Sequence, residues 1–174
     1  IKNVSEKDLR VGIRYLMDTV LGEQQNAHFY LPDSSIDRES SFSGDSMPAY
    51  WISASERNSG KPALQFMTKA NGITQPNRLV FANWKRLDDS SWDYQTNSRR
   101  DFNLLPYSIN DSAAAVYYGP WTMNRGSTKK INIMLGQYSR NGYTWSQTAG
   151  TDEISAILKK SYSSSSDEGV EQIE

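Results

Sequence analysis

Residues 11–19 alternate between two kinds of side chain, as expected of a β-strand. Val11, Ile13, Tyr15 and Met17 fall on one face at a period of two, and this face is apolar. Branched and aromatic side chains favour a strand over a helix. The pattern predicts a strand here, and similar runs predict strands in the segments HFYLPDSS, MPAYWISAS, PALQFMTKA and KKINIMLGQYS.

The run RLVFANW, residues 78–84, carries apolar side chains on both faces. Leu79 and Phe81 fall on one face, and Val80 and Ala82 fall on the other. This pattern predicts a central strand that is covered on each side. The preceding Asn-Gly pair at 71–72 predicts a turn, because both residue types tolerate positive φ.

The segment DSAAAVYYGPW, residues 111–121, contains three consecutive alanines. We predict a strand over 112–119 that ends at Gly119-Pro120, because proline cannot donate a hydrogen bond to a sheet. Small side chains on both faces allow another group to approach closely. That group is either another element of the same domain or a ligand that lies against the alanines with Tyr117 beside it.

Strands at this spacing, with no long helical pattern between them, are typical of a β-sandwich or barrel. We predict an all-β fold, an antiparallel β-sandwich of jelly-roll-like type, over residues 1–150, with an Asn-Gly hairpin at 140–142. A short C-terminal helix is predicted over 151–162, capped by Thr151. The serine-rich segment 163–174 has the composition of a linker or tail, leading to more chain in a parent protein.

Charge and composition limit the classes of partner. The chain of 174 residues carries 19 basic and 20 acidic residues, which gives no electrostatic basis for binding nucleic acid or an anionic membrane. No apolar run approaches the length of about 18 residues that predicts a membrane span. The absence of cysteine excludes disulfides and zinc–thiolate sites. Abundant Ser, Asn, Thr and Tyr favour an extracytoplasmic location, in the periplasm or at the cell surface.

The stretch NWKRLDDSSWDY, residues 83–94, combines aromatic and acidic side chains. Exposed Trp84, Trp92 and Tyr94 would stack on sugar rings while neighbouring polar groups bind the hydroxyls. The alternative is that these aromatics pack in the core. Under the first hypothesis, Trp84, Trp92, Tyr94 and Tyr117 are ligand contacts.

Two similar polar pairs, Asp18-Thr19 and Asp111-Ser112, stand at the end and the start of predicted strands. A carboxylate and a hydroxyl at such a position close a turn by binding loop backbone. The functional alternative is a polar ligand cluster that includes Arg14 and Glu23. Within its own strand, Arg14 lies about 13 Å from Asp18, so Asp111 is its predicted partner.

His28 is the only histidine, so a histidine base would have to use it. It is either structural or paired with Glu23, Asp37 or Glu39 in epimerase-like or lyase-like chemistry. Hydrolase chemistry would instead need two carboxylates across a cleft, drawn from Asp88, Asp89, Asp93 and Asp101. No catalytic residue, metal ligand or cofactor is assigned. Calcium is an alternative in the oxygen-rich loops FSGDS and LDDSSWD, although no D-x-D-x-D-G loop is present.

Three segments, VGIRYLMDTVLGE, RLVFANWKRL and NDSAAAVYYGPWTMNRGSTKKINIMLG, resemble a β-rich domain of exported or envelope-associated bacterial proteins, spirochaetal ones included. The resemblance spans about residues 10 to 136 and implies one β-rich domain inside a larger envelope protein. It carries no catalytic role to this chain. The matching residues are Arg14, Leu16, Asp18, Thr19, Gly22, Asn83, Trp84, Asp111, Ser112, Ala113, Tyr117, Leu135 and Gly136.

We therefore expect a non-catalytic binding or assembly module of the bacterial envelope, in contact with a protein or a glycan. The alternative is a carbohydrate-active enzyme that uses His28 or paired carboxylates. An exposed Trp84–Trp92–Tyr94 cluster would favour a glycan, and an exposed apolar patch would favour a protein.

Overall fold

Two antiparallel sheets make up the described part of the chain, residues 1–21, 28–57 and 61–138 of a computed structural model. The strands are β1 Leu9–Asp18, β2 Phe29–Tyr30, β3 Ser35–Ile36, β4 Ser40–Ser43, β5 Tyr50–Ala54, β6 Ala63–Met67, β7 Arg78–Asn83, β8 Ser112–Met123 and β9 Met134–Gln137. The first sheet has the order β1-β8-β7-β4 and the second has the order β3-β2-β5-β6-β9. A 3₁₀ turn covers Gly44–Ser46, and the helix α1 covers Trp84–Asp89.

The sheets face each other across an aromatic core, which confirms the predicted β-sandwich. The Phe29 ring meets the Trp51 indole edge-on, with ring centroids 5.4 Å apart. Phe81 of the first sheet approaches Phe29 of the second at 4.9 Å. Phe66 stacks on Trp51 at 5.6 Å. The predicted hairpin at 140–142, helix at 151–162 and tail at 163–174 lie outside the described residues.

The first sheet is covered on its outer face as well. Along β7, Leu79 and Phe81 face the inter-sheet core, whereas Val80 and Ala82 face an outer core. Leu87 of α1 closes that outer core from the other side. The prediction of a central strand buried on both faces is therefore confirmed.

The helix α1 was not predicted from the sequence. It begins directly after β7, where the Asn83 side chain accepts a hydrogen bond from the Arg86 amide, 3.2 Å away. An asparagine cap of this kind satisfies one of the free amides at a helix start. The helix has six residues, too short for an apolar periodicity to become visible in the sequence.

The alanine run of β8 is packed by the same domain on both faces. Ala114 and Val116 face the inter-sheet core, and Ala113 and Ala115 face the outer core. All four are fully buried. The small side chains are thus explained by the two layers that approach β8.

The predicted end of this strand at Gly119-Pro120 is wrong, because β8 runs on to Met123. Its partner β1 pairs on either side of these two residues, and the register shifts there. The Gly119 amide leaves the ladder and donates to the Asn77 side chain at 2.6 Å, with a positive φ of 82° that favours glycine. Proline is tolerated because it stands at a bulge, where no ladder donor is needed.

Enlarging Ala114 to leucine should destabilise the fold. The residue is fully buried between the sheets, so three additional carbon atoms must displace neighbouring rings. We expect a loss of roughly 1–3 kcal/mol in the free energy of unfolding, measured by urea denaturation. Thr122→Leu, at an exposed position of the same strand, is the control. An unchanged midpoint for Ala114→Leu would contradict the packing described here.

Candidate functional site

Polar residues from both sheets meet at one end of the sandwich, and we call them the polar cluster. Asp18, the last residue of β1, pairs in register with Ala113 of β8, so the two polar pairs noted in the sequence lie side by side. On the side of the second sheet, His28 directly precedes β2, and its carbonyl accepts a hydrogen bond from the amide of Ala54 in β5. The members of the cluster are Asp18, Thr19, His28, Ser53, Asp111 and Ser112.

Hydroxyl groups surround the imidazole of His28. Ser112 Oγ lies 3.2 Å from His28 Nδ1, and Thr19 Oγ1 lies 3.4 Å from His28 Nε2. Thr19 Oγ1 is also 2.7 Å from Ser53 Oγ. Thr19 directly follows β1 and Ser112 begins β8, both strands of the first sheet. His28 directly precedes β2 and Ser53 lies in β5, both strands of the second sheet, so these contacts connect the sheets at this end.

Burial sets the protonation of the cluster. The removal of His28 from water lowers its pKa from 6.5 to about 4, so the imidazole is neutral at neutral pH. Partial burial raises the pKa of Asp18, and the nearby Asp111 carboxylate raises it further. The two carboxylates therefore repel each other at the surface of the cluster.

The inner part of the cluster is inaccessible to a substrate. His28, Ser53 and Ser112 are all buried. A general base works best with a pKa near the operating pH, whereas that of His28 lies well below neutrality. The inner cluster is suited to holding the sheets together, whereas Asp18 is exposed and Thr19 and Asp111 are half-buried at its outer surface.

Glu39, one of the carboxylates considered as a partner for His28, has other contacts. The fully buried side chain forms ion pairs with Arg86 at 3.1 Å and with Arg100 at 2.9 Å. Its oxygens also accept hydrogen bonds from the Tyr94 hydroxyl and the Asn97 amide. This network fastens the loop 90–101 and the helix α1 to the first sheet. Asp37 is exposed, and Glu23 lies outside the described residues.

The four predicted aromatic contacts gather on the outer face of the first sheet. Trp92 meets the Tyr117 ring edge-on at 5.3 Å. The same indole covers Gly12, where a Cβ would come within 2.4 Å of the ring, so glycine is required. Tyr94 and Tyr117 are buried, and Trp84 and Trp92 are half-buried against the same outer core. These rings pack against each other and against β8.

Arg14 does not pair with Asp111. Its guanidinium donates to the carbonyls of Leu87, Ser90 and Ser91 at 2.9–3.2 Å. These carbonyls lie at the C-terminal end of α1, where free carbonyls carry partial negative charge and attract cations. The structure therefore brings Asp18 and Asp111 together and places Arg14 elsewhere, beside the outer aromatics.

An exposed apolar loop, residues 104–110, is not among the sites predicted from the sequence. Leu105, Tyr107 and Ile109 are 72%, 81% and 68% exposed, and together we call them the apolar tip. The visible signal was their alternation within LLPYSIN, which has the period of a strand. In the structure, a single bridge between Leu104 and Ser108 replaces a strand pairing. The tip side chains consequently gain no cover from a sheet.

The loop that carries the tip is fastened to the domain at several points. The amides of Tyr107 and Ser108 donate to the Leu104 carbonyl at 2.7 and 3.0 Å. The Asn83 side chain donates to Ser108 Oγ at 3.0 Å. The Asn110 amide binds the Asn103 side chain at 2.9 Å. The tip is thus presented on a hydrogen-bonded frame.

Comparison of this chain with models of known families, with curated proteins and with solved structures gives no match. In the part of the chain that the structure describes, no helix is long and apolar enough to cross a membrane. The same ranges contain no group of three or more His, Asp or Glu side chains that could hold a metal ion.

Proposed function

We propose that this chain is a non-catalytic binding or assembly module that contacts a protein partner through the apolar tip. The observation that carries the proposal is the exposure of three large apolar side chains within five residues of a fastened loop. Single exposed apolar residues are ordinary, whereas a group of them marks an interaction surface. Tyrosine in particular is enriched at protein interfaces.

A protein partner is favoured over a glycan by the position of the aromatics. Among the aromatics predicted to bind a glycan, Tyr94 and Tyr117 are buried, and Trp92 is packed against Tyr117 and Gly12, so these three do not offer open ring faces to a sugar. The open apolar groups lie at the tip instead. An enzyme that uses His28 is disfavoured by the burial of this residue and of the neighbouring Ser112.

The proposed setting is the bacterial envelope, outside the cytoplasm, and it rests on the resemblance of the three segments quoted above. The jelly-roll-like connection of the strands and the helix over 151–162 belong to the same proposal. In this setting the domain would be one module of a larger envelope protein, and the tip would join it to its partner.

The proposal predicts cross-linking that depends on the tip. A photo-reactive amino acid in place of Tyr107 should give a discrete adduct in cells that produce the chain, because this side chain is 81% exposed. The additional changes Leu105→Ser and Ile109→Ser should abolish the adduct. Adducts are measured by immunoblot and mass spectrometry.

Two controls make this test decisive. The same photo-reactive residue at Asp33, which is also exposed, should give no adduct. Val4→Ser, at an exposed apolar position outside the tip, should leave the Tyr107 adduct unchanged. Equal yields of cross-linked adduct from positions 107 and 33 would contradict the proposal. A sugar-induced rise in the melting temperature, together with such equal yields, would transfer the function to glycan binding.

A further inference from the structure

An apolar groove opens beside β1, at a distance from the tip. Its cavity of about 360 Å³ adjoins a second one of about 300 Å³, and both are lined by Thr128 and Lys129. Tyr15 is 42% exposed on its wall. We call the larger cavity the β1 groove, and its lining residues are Ile1, Ile13, Tyr15, Thr128, Lys129, Lys130 and Ile131.

The groove and the tip have complementary chemistry. The apolar part of the groove lining is aliphatic and aromatic, Thr128 and the two lysines form the rest, and the volume is sufficient for a large side chain. The tip offers such side chains in an open position. Association would remove the apolar surface of the tip and that of the groove from water, and this burial provides a driving force.

The charges beside these two surfaces are opposite in sign. Asp111 follows the tip loop, and Asp18 lies next to it on β1. Lys129 and Lys130 border the groove. Opposite charges of this kind steer two surfaces together and fix their orientation.

One molecule cannot place its tip in its own groove. The tip loop enters β8 at the end where Ala113 pairs with Asp18, whereas the groove lies at Ile13, five residues further along β1. Five strand residues span about 16 Å. The hydrogen bonds at Leu104 and Ser108 hold the loop at its own end. Tip and groove can therefore meet only between molecules.

We propose that the partner of the apolar tip is the β1 groove of a second copy of this chain. This inference rests on the proposed function and names its partner. Since tip and groove are different surfaces, the contact is heterologous, and each added copy leaves one free tip and one free groove. The chain then assembles head to tail, into a ring or an open filament.

Two variants of the full chain separate the two surfaces. The tip variant carries Leu105→Ser, Tyr107→Ser and Ile109→Ser, and the groove variant carries Tyr15→Glu. Lys129→Glu is a second groove variant at an exposed position, in case Tyr15→Glu disturbs the contact of Tyr15 with Tyr118. Melting curves verify that each variant is folded.

Sedimentation velocity over a concentration series then gives the result. The mass of the wild-type chain should rise with concentration, and each variant alone should stay monomeric. An equimolar mixture of tip and groove variants should form a dimer of twice the monomer mass and stop there. In this dimer the intact tip of one variant occupies the intact groove of the other, and the two remaining surfaces are defective.

Several results would overturn the inference. A wild-type chain that is monomeric throughout would do so, as would folded groove variants that assemble like the wild type. Two folded monomeric variants that fail to combine would also contradict it. If the tip-dependent adduct with another protein persists in any of these cases, the proposed function stands without self-assembly. If the adduct is absent too, both proposals fail.

Discussion

Replacement of Glu39 by alanine is expected to lower the free energy of unfolding by about 3 kcal/mol or more. The carboxylate is fully buried between Arg86 and Arg100 and accepts hydrogen bonds from the Tyr94 hydroxyl and the Asn97 amide. Removing it leaves the guanidinium groups of Arg86 and Arg100 without their counter-charge and the buried Tyr94 hydroxyl without its acceptor. The cost is measured by urea denaturation at neutral pH.

The matched control is Glu6→Ala. Glu6 also forms an ion pair, with Arg125 at 2.6 Å, but both side chains are mostly exposed. Exposed pairs contribute at most about 1 kcal/mol, so this variant should unfold close to the wild type. Equal effects at Glu39 and Glu6 would show that the buried network does not fasten the loop 90–101.

A stability loss of roughly 2 kcal/mol is expected between about pH 7 and about pH 4.5, and we attribute it to His28. Burial lowers the pKa of His28 from 6.5 in the unfolded chain to about 4 in the fold. Between these values the unfolded chain binds a proton at this site and the folded chain does not. Falling pH therefore favours unfolding within this window.

The variant His28→Gln removes this titration and should flatten the pH dependence by the same amount. For each protein, the free energy of unfolding at the lower pH is subtracted from that at the higher pH. Any loss of packing in the variant affects both values equally and therefore cancels. Asp18 acts in the opposite direction: its raised pKa favours the fold as pH falls. If the free energy of unfolding depended on pH in the same way in the wild type and in His28→Gln, the conclusion that the imidazole is buried and bound by hydroxyl groups would be contradicted.

The strands that could be predicted are those whose own side chains carry the pattern. β7 has apolar residues on both faces, and both faces are buried. β1 alternates, and Ile13 and Met17 on one face and Leu16 on the other pack against different cores. By contrast β4, Ser40–Ser43, consists of three serines and one phenylalanine and owes its pairing to β7. No local pattern marks such a strand.

The candidate surfaces depended on contacts that are distant in sequence. The carbonyls that bind Arg14 lie 73 to 77 residues further along the chain. Glu39 meets Tyr94 across 55 residues. A sequence pattern shows the residue types available for such contacts, but it does not show which residues fold back onto one another. For this reason the predicted pairing of Arg14 with Asp111 is wrong.

The sequence by itself determined the all-β class and the burial of β7 on both faces. It also determined that another group approaches the alanines of β8 closely. These features follow from periodicity and side-chain volume, which act locally. Only the tertiary structure decided that Trp92 and Tyr117 pack against each other, that Leu105, Tyr107 and Ile109 stay in water, and that His28 is enclosed. The same type of aromatic or apolar side chain can pack in a core or lie exposed at a binding surface. Its exposure depends on whether an element distant in sequence packs against it.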